Sequence, residues 1–315
     1  MVQTELHRHL DASLRLSTLF QLAQTRGLEP SSTSLDSFRE KFILSHPLTS
    51  LNEVLSKFKL FQQVLDRPEV LTQVAFEVIE DCYQEGTRKV ELRFSPGFIS
   101  EFNQMSWETI LDAFERGRDL ALALYPEMKV GFLCIASRDY GVDSVDETVE
   151  FFLKYKTRFV GLDLAGNEED FPCKLFEKSF QKAVKHKLNI TVHAGEACGP
   201  ENIWSAIEFL GANRIGHGIS CVKDLVLMKY LAEKQICLEM CPTSNWITRA
   251  VLDLSEHPIK KAINSGIPVS INTDDPGIFG VTMSYEENIC TKIVGISSVD
   301  LDHCRENAAK FSFIK

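Results

Sequence analysis

No stretch of this chain is apolar for long enough to cross a bilayer, and its start lacks a basic region followed by an apolar run. None of the nine cysteines, an odd number spread from position 82 to position 304, forms a C-x-x-C pair. That speaks against both a disulfide framework and a cysteine zinc site, and the expected location is cytoplasmic. No Lys/Arg cluster relieves a net charge of −10, so DNA or tRNA finds no landing patch. A small-molecule partner is expected instead, with no nucleic acid and no membrane. There is no Ser- or Pro-rich linker, no internal repeat and no low-complexity tract. The nearest polar break, "EPSSTSLDS" (29–37), reads as a loop, and residues 1–315 read as one domain. Nothing in the sequence speaks to oligomeric state.

What is present is a recurring unit. Eight short β-rich segments occur at 4–10, 89–95, 129–136, 159–165, 189–195, 214–220, 236–242 and 268–274. Between most of them lie helical patterns such as 106–124 and 174–187, with apolar residues at spacings of three and four. Strands separated by helices pair in parallel, because a parallel neighbour needs a crossover of a dozen residues or more. Eight such units favour an α/β fold of the (β/α)8 TIM-barrel type over an open doubly wound sheet. No G-x-G-x-x-G follows the first segment, so a dinucleotide fold has no positive support. The first crossover is long and must hold a helical insertion, about 14–88, that includes the amphipathic stretch 51–65.

A barrel places chemistry at the C-terminal ends of its strands. His7 and His9, two apart in "TELHRHLDAS", point to one face of the first strand while Arg8 points away. Gly166 follows the fourth segment, His193 lies on the fifth, His217 on the sixth, and Asp274 and Asp275 on the eighth. Three histidines and one carboxylate suit zinc, so His7, His9, His193 and Asp274 form the candidate ligand set, with a water completing it. Manganese or iron also suit such donors. Glu196, three residues past His193 in "HAGEACG", suits a general acid or base. His217, flanked by glycines, is placed to orient an attacking hydroxide without binding metal. His46, His186, His257 and His303 fall in loops or polar helical faces and receive no role.

These residues carry a resemblance to the adenosine deaminase family of metal-dependent amidohydrolases. The matching motifs are H-x-H-L-D-x-S (7–13), D-L-A-G-x-E (163–168), H-A-G-E (193–196), G-H-G (216–218), C-P-x-S-N (241–245) and N-T-D-D-P (272–276), in the family's order. The resemblance implies a TIM barrel with one zinc per chain on His7, His9, His193 and Asp274. It implies Glu196 as proton donor to purine N1, His217 beside the attacking hydroxide, and Asp275 at N7. The Gly166 backbone would hold N3, Asp11 the ribose, and His9 would also touch substrate. The implied reaction is hydrolysis of adenosine and 2′-deoxyadenosine to the inosine product and ammonia. Leu51, Val54, Leu55 and Phe58 resemble the family's hydrophobic gate over the purine.

Other substrates within the family are adenine, aminodeoxyfutalosine and AMP-type nucleotides. Adenine-directed members read H-L-E and nucleotide-directed relatives H-L-N, whereas Asp11 follows His9-Leu10 here and favours a free ribose hydroxyl. Two-metal hydrolases of the same superfamily need a lysine at the end of strand four, and "FVGLDLAGN" has none. "CPTS" lacks the second cysteine of the cytidine-type deaminases. A purine-binding protein without catalysis would lack a ligand or the proton donor, and all are present. Three departures stand out. Ala12 replaces the family's glycine, Arg8 is bulkier than usual and could bear on substrate choice, and the chain stops at "NAAKFSFIK" where one more helix is expected, so it reads as trimmed or naturally short.

Overall fold

The computed structural model describes residues 3–48 and 51–315, with the side chains of 51–56 outside the description. Eight strands run parallel in sequence order: β1 (Gln3–His9), β2 (Thr87–Phe94), β3 (Lys129–Ser137), β4 (Gly161–Ala165), β5 (Ile190–Ala194), β6 (Arg214–His217), β7 (Cys237–Met240) and β8 (Val269–Ile271). Helices cross between them, as expected for a (β/α)8 barrel. Most strand residues are buried on both faces, which is why these segments read as nearly continuous apolar runs. The last seam closes through the chain just past β8. Asp274 accepts from the His9 amide at 2.9 Å and donates to the His7 carbonyl at 3.0 Å, while Asn272 Oδ1 takes the Leu6 amide at 2.9 Å.

The first crossover holds four helices, Leu16–Thr25, Leu35–Phe42, Leu51–Val64 and Pro68–Gln84. Phe38 stacks on Phe42 at 5.3 Å, and Phe42 meets Phe61 edge-on at 5.4 Å, which ties the inserted helices together. Helix Pro68–Gln84 lies so close to Trp107–Leu124 that a Cβ on Gly117 would come within 2.2 Å of the Thr72 carbonyl oxygen. The helical pattern at 174–187 resolves into a 3-10 turn, Cys173–Phe176, followed by Glu177–Lys185. Arg8 is buried, with Nη1 3.5 Å from Glu5 and 3.6 Å from Glu85, an acid at the end of the Pro68–Gln84 helix. Its link to substrate choice therefore finds no support in its position.

The sequence "NAAKF" ends a helix, Ser298–Phe311, that opens with a capping box at Ser297 and packs against β8 and β1. The residues after it lie against the barrel floor. The Phe313 amide and Ser312 hydroxyl donate to Glu91 at 2.5 and 2.8 Å, and the Phe313 ring lies 3.6 Å from the Arg214 guanidinium. No described helix is long and apolar enough to span a membrane.

Helix Met283–Ile289 buries Glu286, whose carboxylate accepts the Thr243 amide at 3.1 Å and so anchors the short helix Pro242–Ile247 at the barrel mouth. Burial pushes the Glu286 pKa up to about 8 from an ordinary 4.5. The folded state then binds a proton that the unfolded chain has released, so stability falls as pH rises from about 4.5 to about 8. Glu286→Gln keeps an acceptor for Thr243 but cannot ionise. The variant is expected to gain melting temperature relative to the parent at pH 8 and not at pH 4. An equal difference at both pH values would contradict the assignment.

Candidate active site

The candidate residues converge at the C-terminal mouth. His7 and His9 end β1, His193 lies near the end of β5, and His217 is the last residue of β6. Asp274 and Asp275 follow β8, and Gly166 follows β4. His217 (φ 59°) and Asp274 (φ 64°) both adopt the left-handed region that non-glycine residues rarely enter, at a cost of about 1–3 kcal/mol each. Their neighbours hold them there: Asp274 through its bonds to β1, and His217 beside Gly218, whose amide bonds the Ala194 carbonyl at 3.1 Å. Gly216 gives the rings room, since a Cβ there would lie 3.0 Å from His7 Cε1. Gly166 is required as well, because at φ 108° its Cβ would collide with Asp139 Oδ2.

The rear nitrogens of two histidines are committed. His7 Nδ1 lies 2.9 Å from Glu239 Oε2, and His193 Nδ1 lies 3.1 Å from Asp163 Oδ1. Arg93 donates to both carboxylates, to Asp163 Oδ2 at 2.8 Å and to Glu239 Oε2 at 2.7 Å. Despite burial, Arg214 and Arg93 hold Glu239 well below the usual carboxylate range. These acceptors keep the ring protons on the rear nitrogens and leave both Nε2 lone pairs facing the mouth. Burial lowers the pKa of His7, and that of His193 to about 3, so both rings are neutral donors.

The bare His7 Nε2 is fully buried, makes no hydrogen bond among the described residues, and lies 3.1 Å from Asp274 Oδ1. His9 Nε2 lies 3.3 Å from both His193 Nε2 and Asp274 Oδ1. A lone pair aimed at a carboxylate oxygen at this distance is unfavourable unless a cation lies between them. The donor set therefore fits a metal ion. His9 opposes burial and is raised to about 9 by Asp275 and Asp274, so metal uptake would displace its proton.

His217 competes on distance for a place in this set: its ligand atom, with those of His7, His193 and Asp274, falls inside 4.8 Å. Its tautomer separates it from them. Asn245 Nδ2 lies 3.0 Å from His217 Nδ1 and donates to it, which leaves the His217 proton on Nε2. That nitrogen lies 3.4 Å from Glu196 Oε2 and 3.9 Å from Asp274 Oδ2. The Glu196 side chain is 21% exposed, yet its carboxyl sits deep enough that burial raises its pKa, with Asp274 and Glu168 adding to the rise against His217. Asp275, buried beside Asp274 and Asp11, is raised well above its ordinary value, and its Oδ1 has no hydrogen-bond partner among the described residues. Asp11 is 5% exposed and raised by burial, with the Ser95 amide 3.4 Å from Oδ2.

Several contributors escaped the sequence reading. Glu168 accepts three consecutive amides, from Gly195, Glu196 and Ala197, at 2.7–2.9 Å and so pins the loop that presents Glu196. Asp163, Glu239 and Arg93 orient the histidines. Asp163 and Glu168 open and close the D-L-A-G-x-E motif, which gave them no role of their own, and for Arg93 and Glu239 a charge inside an otherwise apolar strand was the signal. His257 lies in a loop, as read, and is buried there. Phe58 is half-buried with its ring 6.3 Å from Phe98. The side chains of Leu51, Val54 and Leu55, the rest of the expected gate, lie outside the described residues.

Residues 3–315 match the family described as "Adenosine deaminase". An adenosine deaminase of Escherichia coli O1:K1 is 38% identical over 99% of this chain and 93% of its own length. The chain belongs to the adenosine deaminase family. Among solved structures, an adenine deaminase from Arthrobacter aurescens superposes with a TM-score of 0.89 at 26% identity, covering 99% of this chain and 94% of that one. The N6-methyl-AMP deaminase of Arabidopsis thaliana gives 0.84 at 26% identity, over 100% and 93% of the two chains. The proteins this chain is similar to are thus named for three different purines, adenosine, adenine and N6-methyl-AMP.

His7→Ala and Asp274→Ala are each expected to lose bound metal, measured by mass spectrometry on protein loaded and then desalted. Glu239→Gln is expected to weaken metal affinity about 10- to 100-fold by releasing the His7 ring. Unchanged occupancy in His7→Ala or Asp274→Ala would contradict the ligand assignment.

Proposed function

We propose that this chain is a hydrolytic deaminase that converts adenosine and 2′-deoxyadenosine to the inosine product and ammonia, with one zinc per chain. The observation that carries this reading is the pairing of two forward-facing histidine nitrogens and Asp274 with Glu196 beside them, a carboxyl whose pKa burial raises. His7, His9, His193 and Asp274 would hold the metal. When bound, zinc lowers the pKa of a water ligand from about 15.7 towards 7 and so supplies a nucleophile at neutral pH.

The protein's own groups account for the remaining demands. Burial raises the pKa of Glu196, which favours its acid form, and as general acid it gives its proton to purine N1 as C6 becomes tetrahedral. The His217 Nε2–H donates towards the attacking oxygen. Burial, with Asp274 adding to it, raises the Asp275 pKa well above its ordinary value, which favours the acid form that can donate to N7, a nitrogen that can only accept. The Gly166 amide holds N3, and Asp11 exchanges hydrogen bonds with a ribose hydroxyl, a task a carboxyl performs in either protonation state. On collapse the hydroxyl proton at C6 passes to the amino nitrogen, the C6–N bond breaks, and ammonia leaves as the C6 carbonyl forms. Over the whole reaction one water replaces one amino group. The named activity of the Escherichia coli relative supports adenosine as substrate. Adenine, aminodeoxyfutalosine and AMP-type nucleotides are the alternatives within the same chemistry. Nine free thiols support a reducing, cytoplasmic setting.

Glu196→Gln preserves size and a hydrogen bond to N1 but has no proton to transfer. Its kcat is expected to fall by about 10²–10⁴-fold, about 3–5.5 kcal/mol of barrier, with metal content unchanged and KM for adenosine little altered. The parent is expected to prefer adenosine over adenine, AMP and aminodeoxyfutalosine at one enzyme concentration. Retention of most activity in the variant, or loss of its metal, would overturn the role of Glu196. A preference for another purine would overturn the substrate.

A further inference from the structure

Behind the groups that face the mouth lies a histidine with no part in the chemistry above. His257 is 3% exposed. Its Nδ1 lies 3.2 Å from the backbone nitrogen of Ile259, and its Nε2 lies 3.2 Å from Asn245 Oδ1. A backbone N–H can only donate, so His257 Nδ1 is an acceptor and the proton of the neutral ring sits on Nε2. Burial, with His217 adding to it, lowers the His257 pKa to about 3, so the ring stays neutral across the working range. The Nε2–H then donates to Asn245 Oδ1.

That bond decides which way the Asn245 amide faces. With Oδ1 taken by His257, Nδ2 points at His217 Nδ1, 3.0 Å away, and at Glu196 Oε1, 3.4 Å away. The backbone of Asn245 is fixed independently, its amide to the Cys241 carbonyl at 2.9 Å and its carbonyl to the Val251 amide at 2.8 Å. Only the side-chain torsion is left for His257 to settle.

We propose that His257 is a positioning residue that holds His217 in its Nε2–H tautomer through Asn245, so that His217 donates to the reacting oxygen instead of offering a lone pair to the metal. The competing arrangement is concrete. If the amide turned over, its oxygen would face His217 Nδ1 and draw the proton there. The bare Nε2 would then join the ligand atoms of His7, His193 and Asp274, inside whose 4.8 Å cluster it already lies. Glu196 would lose an amide donor at the same moment and face a carbonyl oxygen. His257 thus keeps a fourth histidine out of the ligand set and in the role of donor.

The test uses full-length protein labelled with 15N-histidine, as the parent, His257→Leu and His257→Gln, with His257→Met replacing Leu should Leu leave the chain unfolded. Gln can still present an N–H to Asn245. In the parent, the ring nitrogens of His217 are expected to report a protonated Nε2 and an unprotonated Nδ1, with or without metal. In His257→Leu the proton is expected to shift towards Nδ1. Metal content should be retained, kcat for adenosine should fall about 10- to 100-fold, and KM should stay near that of the parent. His257→Gln is expected to restore the parent's nitrogen signals and most of its kcat. Retention of the Nε2–H signal in His257→Leu would overturn the proposal, whatever the kinetics. So would equal loss in Leu and Gln variants, which is what a packing role alone produces. The kinetic arm rests on the deaminase reading. Were the parent to deaminate no 6-aminopurine, that reading would fail while the nitrogen signals still judged the relay.

Discussion

A single guanidinium sets the chemistry of this barrel. Arg93 lies fully buried between Asp163 and Glu239, and each of those carboxylates holds the rear nitrogen of one histidine. Glu239 also takes Thr191 and Arg214, and Arg214 reaches on to Glu91. Such buried ions are expensive to desolvate, and replacing them with apolar residues of similar volume is often neutral or stabilising. Their value here is orientation. They keep the His7 and His193 protons at the back, so that two lone pairs meet at the front. Three carboxylates against two guanidinium groups also leave one negative charge in excess behind the rings, which favours a cation before them.

The seam of the barrel serves the same end. Asp274 is both a site carboxylate and the residue whose backbone joins the end of the chain's last strand to the first. Its left-handed conformation is a local cost that the hydrogen bonds to His7 and His9 offset. Misplacing the carboxylate would therefore open the seam, and a loosened seam would move His7 and His9 with it. Fold closure and site geometry share the same few atoms.

Much of this was legible in the sequence. The alternation of strand and helix patterns placed all eight strands to within a few residues, and the period of two along "HRH" put both histidines on one face. Clustering of His193, His217 and Asp274 at strand ends followed from the barrel rule alone. What stayed hidden depends on contacts between distant positions. The Arg93–Glu239 bond spans 146 residues and the His257–Asn245 bond only 12, yet neither leaves a spacing in the chain. His257 lies in a loop before a proline, as read, but its burial was not legible: a backbone amide and a side-chain amide satisfy both ring nitrogens in the interior. Nor can a sequence state which nitrogen of a ring carries its proton. That distinction separates His217 from His7 and His193.

The tautomers of His7, His193 and His217 decide which of those three rings can serve as ligands. A crystal structure of the metal-loaded protein, with an anomalous difference map at the metal's absorption edge, tests it most directly. The account predicts one metal peak about 2.0–2.1 Å from the Nε2 atoms of His7, His9 and His193, with Asp274 completing the set and His217 Nε2 beyond bonding distance. A metal bonded to His217 in place of His9 would contradict it.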